Sequence, residues 1–361
     1  MGEHMLALAA AYRPVADVSL LCRPTEGGRC LLDRAAGLGV RTTALPRPRD
    51  PAFGDTIVDF LARHPADVFH IHVGTGRENF DGARAARRAR VPLVVQTLHQ
   101  PWLLRHPAKR AALLRAITPV DRLIAVSDAQ RRTYERAGVP TASLTTVPNG
   151  ITARGRGPGR CAARAALGLD PDQLVVMTVG RLTEQKGQRY LVEATPELAT
   201  RFPGLSVVVL GEGHLRDDLV RRAADLGVGD AVRLPGHRSD ARLLIDAADV
   251  FVFPSRHEGM PLAVLEAMQA GLPVVATDVL GTAEVVADGE TGTLTPPGDP
   301  RALAAAVAEL LSDPQRRRRY GEAGCRRYLE RFTAHRMATE TLAVYDEALG
   351  GPRLPAAAAR T

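Results

Sequence analysis

Two carboxylates stand eight residues apart in FPSRHEGMPLAVLEAM, Phe253 to Met268: Glu258 and Glu266. Pro261 between them suits a first helical position, where its missing N–H would have no partner anyway. Leu262, Val264, Leu265 and Met268 then carry the apolar spacing of a half-buried helix. Glu258 falls in the loop feeding that helix, and Glu266 on its body. At ~1.5 Å per residue the carboxylates would stand roughly 12 Å apart if the helix reached both. That is too far to share one proton or one metal. It suits a grip on two ends of one elongated ligand.

A second constellation is TVGRLTEQKGQRYLVEA, Thr178 to Ala194, directly after a strand-like run. Gly180 permits close backbone approach, Arg181 sits at the strand's end, and Lys186 precedes the next helix. A guanidinium fork beside a compact ammonium suits a diphosphate. The chain has 45 Arg and only two Lys, Lys109 and Lys186, so a lysine at this place stands out. The spacing is not that of a Walker loop, which needs Ser or Thr after the Lys. A solvated basic turn is the plain alternative. GEGHLR, Gly211 to Arg216, resembles a dinucleotide fingerprint, but Arg216 replaces its last glycine, so it reads as a tight strand-to-helix turn near a nucleotide.

Histidines form the third group. FHIHVGTGRENF puts His70 and His72 on one strand face, and TLHQPW puts His99 at another strand end. Zinc would need further ligands, and no Cys or close acidic residue completes a tetrahedral set. Structural histidines satisfied by hydrogen bonds are the simpler reading, with His99 the better functional candidate because strand C-termini face ligands in such folds. Asn149-Gly150 is a turn signal first and a ligand contact second.

The elements that must position these residues alternate. DVSLLC, DVFHIH, PLVVQT, RLIAV and LTTV are strand-like in the first part, and LVVMTV, LSVVVL, DVFVF and LPVVAT in the second. Amphipathic stretches such as DAQRRTYERAG, with Ser127 as its N-cap, lie between. Near-continuous apolar strands alternating with helices predict parallel sheets covered on both faces. The alternation breaks once, at VPNGITARGRGPGR, which reads as an interdomain linker. The expected organisation is an N-terminal domain at 1–152 and a second at 153–332. A helix at 333–349 would pack across both, and 350–361 would be a disordered tail.

Composition bounds the class. With 361 residues, 45% hydrophobic and 24% charged, the chain reads as a soluble globular protein of about two domains. No apolar run approaches a membrane span and the start lacks a basic signal region, so a cytoplasmic location is expected. Four cysteines without metal-ligand spacing read as reduced thiols. Residues 1–150 hold 21 Lys+Arg against 13 Asp+Glu, concentrated in RAARRAR and RHPAKRAALLR. This is a solvated helix face, or a contact for an anionic acceptor or an anionic inner-membrane surface. Nucleic acid is not expected, since no recognition motif accompanies the charge and aromatic residues are 4%.

Taken together, PSRHEGMPLAVLEAMQAGLPVVAT, GRLTEQKG, IAVSDAQ and VPNGI resemble the family 4 retaining glycosyltransferases, from about Asp17 to Leu349. The resemblance implies an α/β GT-B fold: two facing Rossmann-like domains with parallel sheets and a cleft between them. It implies that Arg181 and Lys186 hold a donor diphosphate and that Glu266 bonds the ribose hydroxyls. Glu258 would face the donor sugar with backbone groups of Gly259, Met260 and Leu262. His99 would lie near the transferred sugar, and His237-Arg238 near the base. The donor-binding set is then Gly180, Arg181, Lys186, Gly211, His237, Arg238, Glu258, Gly259, Met260, Pro261, Leu262 and Glu266. Catalysis would fall to Glu258, His99, Arg181 and Lys186, with His72 and Asn149 on the acceptor side. The family also has a first strand and glycine-rich loop ahead of the helix that corresponds to His4–Tyr12, and this sequence begins at that helix.

The expected function is metal-independent, cofactor-free retaining transfer of a hexose. The donor would be a nucleoside-diphosphate sugar, UDP- ahead of GDP-, and the acceptor a hydroxyl on a small molecule or lipid. The Arg-rich composition points to a high-GC bacterial genome. A GT-B sugar-nucleotide epimerase would need acid/base carboxylates that the sequence does not place, and a Rossmann oxidoreductase would need an intact glycine fingerprint. An inactive partner subunit is the third alternative, raised by the short N-terminus.

Overall fold

The computed structural model describes residues 1–48, 50–74, 81–100, 107–155, 157 and 159–351. It divides into two units, residues 1–152 with 333–361 and residues 153–332. Of the tail expected at 350–361, residues 352–361 lie outside the described residues, as do 75–80 and 101–106 beside two of the histidine motifs.

The first unit holds six strands: β1 Ser19–Cys22, β2 Arg41–Ala44, β3 Val68–Val73, β4 Leu93–Leu98, β5 Arg122–Ala125 and β6 Leu144–Thr146. β1 pairs with β2, and β3-β4-β5-β6 form a four-stranded sheet, every pairing parallel. β4 is buried at every position, as a strand covered on both faces must be. Helix Gly2–Tyr12 and helix Ala334–Ala348 share one core, in which Leu8 and Tyr12 meet Met337, Leu342 and Tyr345. The Tyr12 hydroxyl donates to the Ala338 carbonyl at 2.7 Å. Ser127 caps helix Asp128–Arg136 by accepting from the Gln130 N–H.

Asn149-Gly150 does not make the turn that its composition suggests. Ile151 bridges to Thr333, and a Cβ on Gly150 would lie 2.1 Å from the Thr333 carbonyl oxygen. The glycine serves close chain approach, and the Asn149 side chain is committed elsewhere. The basic run at 84–90 is largely neutralised: Arg84, Arg87 and Arg88 pair with Asp81, Asp121 and Asp55. These contacts favour the solvated-face reading of that run.

The second unit has six strands: β7 Val175–Val179, β8 Ser206–Leu210, β9 Val232–Gly236, β10 Val250–Phe253, β11 Val274–Thr277 and β12 Gly292–Thr295. They form one parallel sheet in the order β12-β11-β10-β7-β8-β9. From β7 the chain builds outward through β8 to β9, then returns to lay β10 on β7's other side. The strand order therefore reverses between β7 and β10. Helices Gln188–Arg201 and Pro300–Ser312 supply Leu191, Leu198, Val307 and Leu310 to the core over Val207, Val209, Val250 and Val252. Burying each such side chain contributes about 1.5–3 kcal/mol. Among the described residues, no helix is long and apolar enough to cross a membrane.

Candidate active site

In the second unit the predicted residues collect at the C-terminal ends of the strands. Gly180 follows β7, Gly211 follows β8, and Pro254 to Pro261 follow β10. Gly211 has φ +140°, and a Cβ there would lie 2.0 Å from the Gly180 carbonyl oxygen. Only glycine permits that approach of the β7 and β8 loops. Gly187, in the left-handed region at φ +66°, turns the chain from Lys186 into helix Gln188–Arg201.

The loops after β7 and β10 are tied side chain to side chain. Lys186 Nζ donates to Glu258 Oε1 at 2.7 Å and stands 5.1 Å from the Phe253 ring centroid. Ser255 Oγ lies 2.8 Å from the same carboxylate oxygen and 2.9 Å from the Gln185 carbonyl. Gln185 Nε2 donates to the His257 carbonyl, and the Arg256 N–H to the Gln185 carbonyl. Glu258 is 4% exposed, and both of its side-chain contacts fall on Oε1. Its Oε2 has no hydrogen bond among the described residues. Lys186 is thus half of a largely buried ion pair and not a surface-side charge.

Helix Leu262–Gln269 begins one residue later than its composition suggests. Pro261 is the N-cap, extended at ψ 111°, and its carbonyl accepts the first helical bond, from the Leu265 N–H. Among the described residues no side chain caps this terminus, which leaves the first N–H groups at the positive end of the helix dipole. Val264, Leu265 and Met268 are buried, and Glu266 on the helix body is half-buried. Gly259 and Met260 are fixed from behind, because a Cβ on Gly281 would fall 1.5 Å from the Gly259 carbonyl oxygen.

The remaining second-unit candidates differ. The Arg181 side chain is exposed and makes no hydrogen bond among the described residues. His237 is exposed after β9, and Arg238 forks onto Asp240 with contacts of 2.9 and 2.8 Å. Ser255, Gln185 and Gly281 did not emerge from the sequence. Ser255 could have been found, since it stands three residues before Glu258; nothing local marks Gly281.

In the first unit, His72 Nδ1 lies 3.1 Å from His99 Nε2. Asn149 Oδ1 accepts from His4 Nδ1 at 3.0 Å. His4 had no sequence signal, yet its ring meets those of His72 and His99 at 5.2 and 4.7 Å between centroids. Burial holds all three imidazoles neutral, His4 down to about 4 and the other two well below the usual histidine value. His70 stacks on His72, bonds Thr97 and Tyr345, and is pushed down to about 3 by burial. It is a structural histidine.

A parallel sheet with its glycine turns, charged loops and order reversal at one end defines a Rossmann-type unit. Residues 160–327 match the model of glycosyl transferases group 1, and residues 1–154 that of glycosyltransferase family 4. The chain belongs to the family 4 glycosyltransferases. It is 35% identical over 261 residues to a GDP-mannose-dependent alpha-(1-6)-phosphatidylinositol monomannoside mannosyltransferase of Mycolicibacterium smegmatis, covering 66% of each chain. It is 31% identical to the alpha-D-kanosaminyltransferase of Streptomyces kanamyceticus, covering 73% of this chain and 72% of that one. The chain spans about half the length of several other curated relatives. The crystal structure of Anabaena Alr3699/HepE in complex with UDP and glucose superposes with a TM-score of 0.82 at 22% identity, covering 95% of both chains. The fold is therefore GT-B, with two Rossmann-like domains built on parallel sheets.

Proposed function

We propose that this chain transfers a hexose, with retention of anomeric configuration and without a metal, from a UDP-sugar to a hydroxyl of a small-molecule or lipid acceptor. One observation carries the reading. Lys186 and Glu258 meet at the C-terminal ends of β7 and β10, where the strand order reverses. Ligands of open parallel sheets bind at that place.

The chemistry follows from the charges there. Departure of a nucleoside diphosphate builds negative charge on the leaving phosphate while the sugar carbon becomes cationic. Arg181 and Lys186 serve the first, together with the uncapped N-terminus of helix Leu262–Gln269. Glu258, with Oε2 open, serves the second, and Glu266 holds the ribose. His99 is the first-unit residue assigned to the transferred sugar in this reading, with His72 and Asn149 on the acceptor side. A solved neighbour binds UDP and glucose and a curated relative is named for GDP-mannose, so both nucleotides belong in the test.

The test is incubation of the purified chain with UDP- and GDP-sugars and a panel of acceptors, read by mass spectrometry, with product configuration assigned by NMR. Transfer or slow donor hydrolysis with retention is expected. Epimerised donor, or nicotinamide turnover, would replace this reading with another enzyme class.

A further inference from the structure

Three imidazoles of the first unit, those of His4, His72 and His99, converge. His72 lies in β3 and His99 just past β4; His72 registers with Thr97, so the two histidines share one sheet face. Helix Gly2–Tyr12 sets His4 against both. One nitrogen from each ring can be chosen such that all three lie within 4.8 Å of one another.

We infer that His4, His72 and His99 bind one divalent cation of the zinc type through three neutral imidazole nitrogens. The most pointed observation is His4 Nε2. It is buried in a residue 2% exposed and has no hydrogen-bond partner among the described residues, while Nδ1 donates a hydrogen bond to Asn149 Oδ1. That hydrogen bond selects the tautomer whose Nε2 carries a bare lone pair. A buried polar atom left without a partner has lost its water contacts with nothing to replace them. A cation there would satisfy it.

The surroundings fit a metal ligand set. Asn149 orients His4, and His70 supports the His72 ring from behind. Such outer partners are what fix coordinating imidazoles. A tetrahedral ion with metal–nitrogen bonds of about 2.0–2.1 Å wants nitrogens roughly 3.4 Å apart. His72 Nδ1 and His99 Nε2 stand 3.1 Å apart as a hydrogen-bonded pair, so binding through both requires the donor ring to switch to its other neutral tautomer, and the widest separation must close by up to roughly 1.4 Å. An all-imidazole set favours Zn²⁺, Co²⁺ or Ni²⁺ over Mg²⁺ and Ca²⁺, which take oxygen ligands. The fourth position would be taken by water. The site shares His99, His72 and Asn149 with the roles that the proposed function gives them, so a bound cation would compete with those roles, and its test reads metal binding instead of transfer.

The untagged full chain, stripped with a chelator, is titrated with Co²⁺ and then with Zn²⁺ as competitor. One equivalent of Co²⁺ giving the visible absorption of a four-coordinate imidazole complex, displaced by Zn²⁺, is expected. His4→Gln and His72→Gln should abolish that signature, and Asn149→Ala should weaken binding about 10–100-fold. Should those variants fold poorly, the ring-nitrogen NMR signals of the unaltered chain decide: one equivalent of Zn²⁺ should move those of His4, His72 and His99 among its 10 histidines. Absence of stoichiometric binding, binding indifferent to the two substitutions, or shifts confined to other histidines would overturn the assignment.

Discussion

Lys186 Nζ sits 2.7 Å from Glu258 Oε1, joining the loop after β7 to the loop after β10. The carboxylate is 4% exposed, so the ammonium is what makes its charge tolerable there. Lys186→Ala should therefore destabilise the second unit, toward the lower end of the ~3–5 kcal/mol typical of a buried charge stripped of its partner. Adding Glu258→Gln to Lys186→Ala should recover most of the loss, since the uncompensated charge is then gone. Urea unfolding of the two singles and the double gives the coupling directly. An unchanged midpoint in Lys186→Ala would mean that the pair is not held in solution.

Gly281 tests how the Glu258 loop is braced. A Cβ there would meet the Gly259 carbonyl at 1.5 Å, a backbone contact that no rotamer change relieves. Gly281→Ala should shift Gly259 and Met260 and weaken donor binding, with a smaller effect on overall stability. Gly271→Ala is the contrast: its φ of +71° carries strain, but nothing stands within 4 Å of the added carbon. It should cost stability of about 1–2 kcal/mol for the left-handed backbone and leave donor affinity alone. Calorimetric titration with UDP on both variants distinguishes them.

What was legible in the sequence followed burial. The nine strand-like runs include β4, β7, β8, β10 and β11, whose apolar side chains are packed on both faces. Three strands went unread: β2, β9 and β12. All three are edges of their sheets, half-exposed and made of RTTA, VRLPG and GTLT, so little in their composition demands a strand. The site divides the same way. Glu258 and Lys186 stand out locally as charges in loops between a strand and a helix, and Glu266 as the one charge in a largely apolar helix. The Lys186–Glu258 contact and the approach of His4 to His72 span 72 and 68 residues, and only the folded chain brings them together.

Asp249 is another residue that local reading passes over. Its Oδ2 accepts from Arg164 Nη2 at 2.9 Å and the Val175 N–H at 2.8 Å, and its Oδ1 from Arg160 Nη2 at 2.6 Å. Arg164 is 1% exposed, and burial pulls its guanidinium below the usual value while Asp249 opposes that pull. Asp249→Asn takes from a buried guanidinium its hydrogen-bonded counter-charge at the start of β7 and β10. A loss of about 3–5 kcal/mol is expected, seen as a lower urea midpoint at unchanged slope. A loss below ~1 kcal/mol would show that the backbone carbonyls around Arg164 suffice.

The two glutamates should separate kinetically, and the Lys186 contact shapes how. Glu266 is assigned to the ribose, which does not change during transfer. Glu266→Gln should raise donor KM more than it lowers kcat, the signature of uniform binding. Glu258 is assigned to the sugar, where charge develops, so Glu258→Gln should lower kcat with a smaller effect on donor affinity. Because Glu258→Gln also releases Lys186, its effect must be compared with Lys186→Met, expected to lose ~10²–10³ in rate if the ammonium stabilises the leaving phosphate. Ser255→Ala supplies the control, removing a neighbour of Glu258 Oε1 at 2.8 Å while both charges stay. If Glu258 acts only by positioning Lys186, the double variant should be no slower than Lys186→Met alone. If it acts on the sugar, the double variant should be slower than either single. Single-turnover rates with calorimetric donor affinities on the full set decide it, and a Glu266→Gln that abolishes chemistry at saturating donor would reverse the assignment.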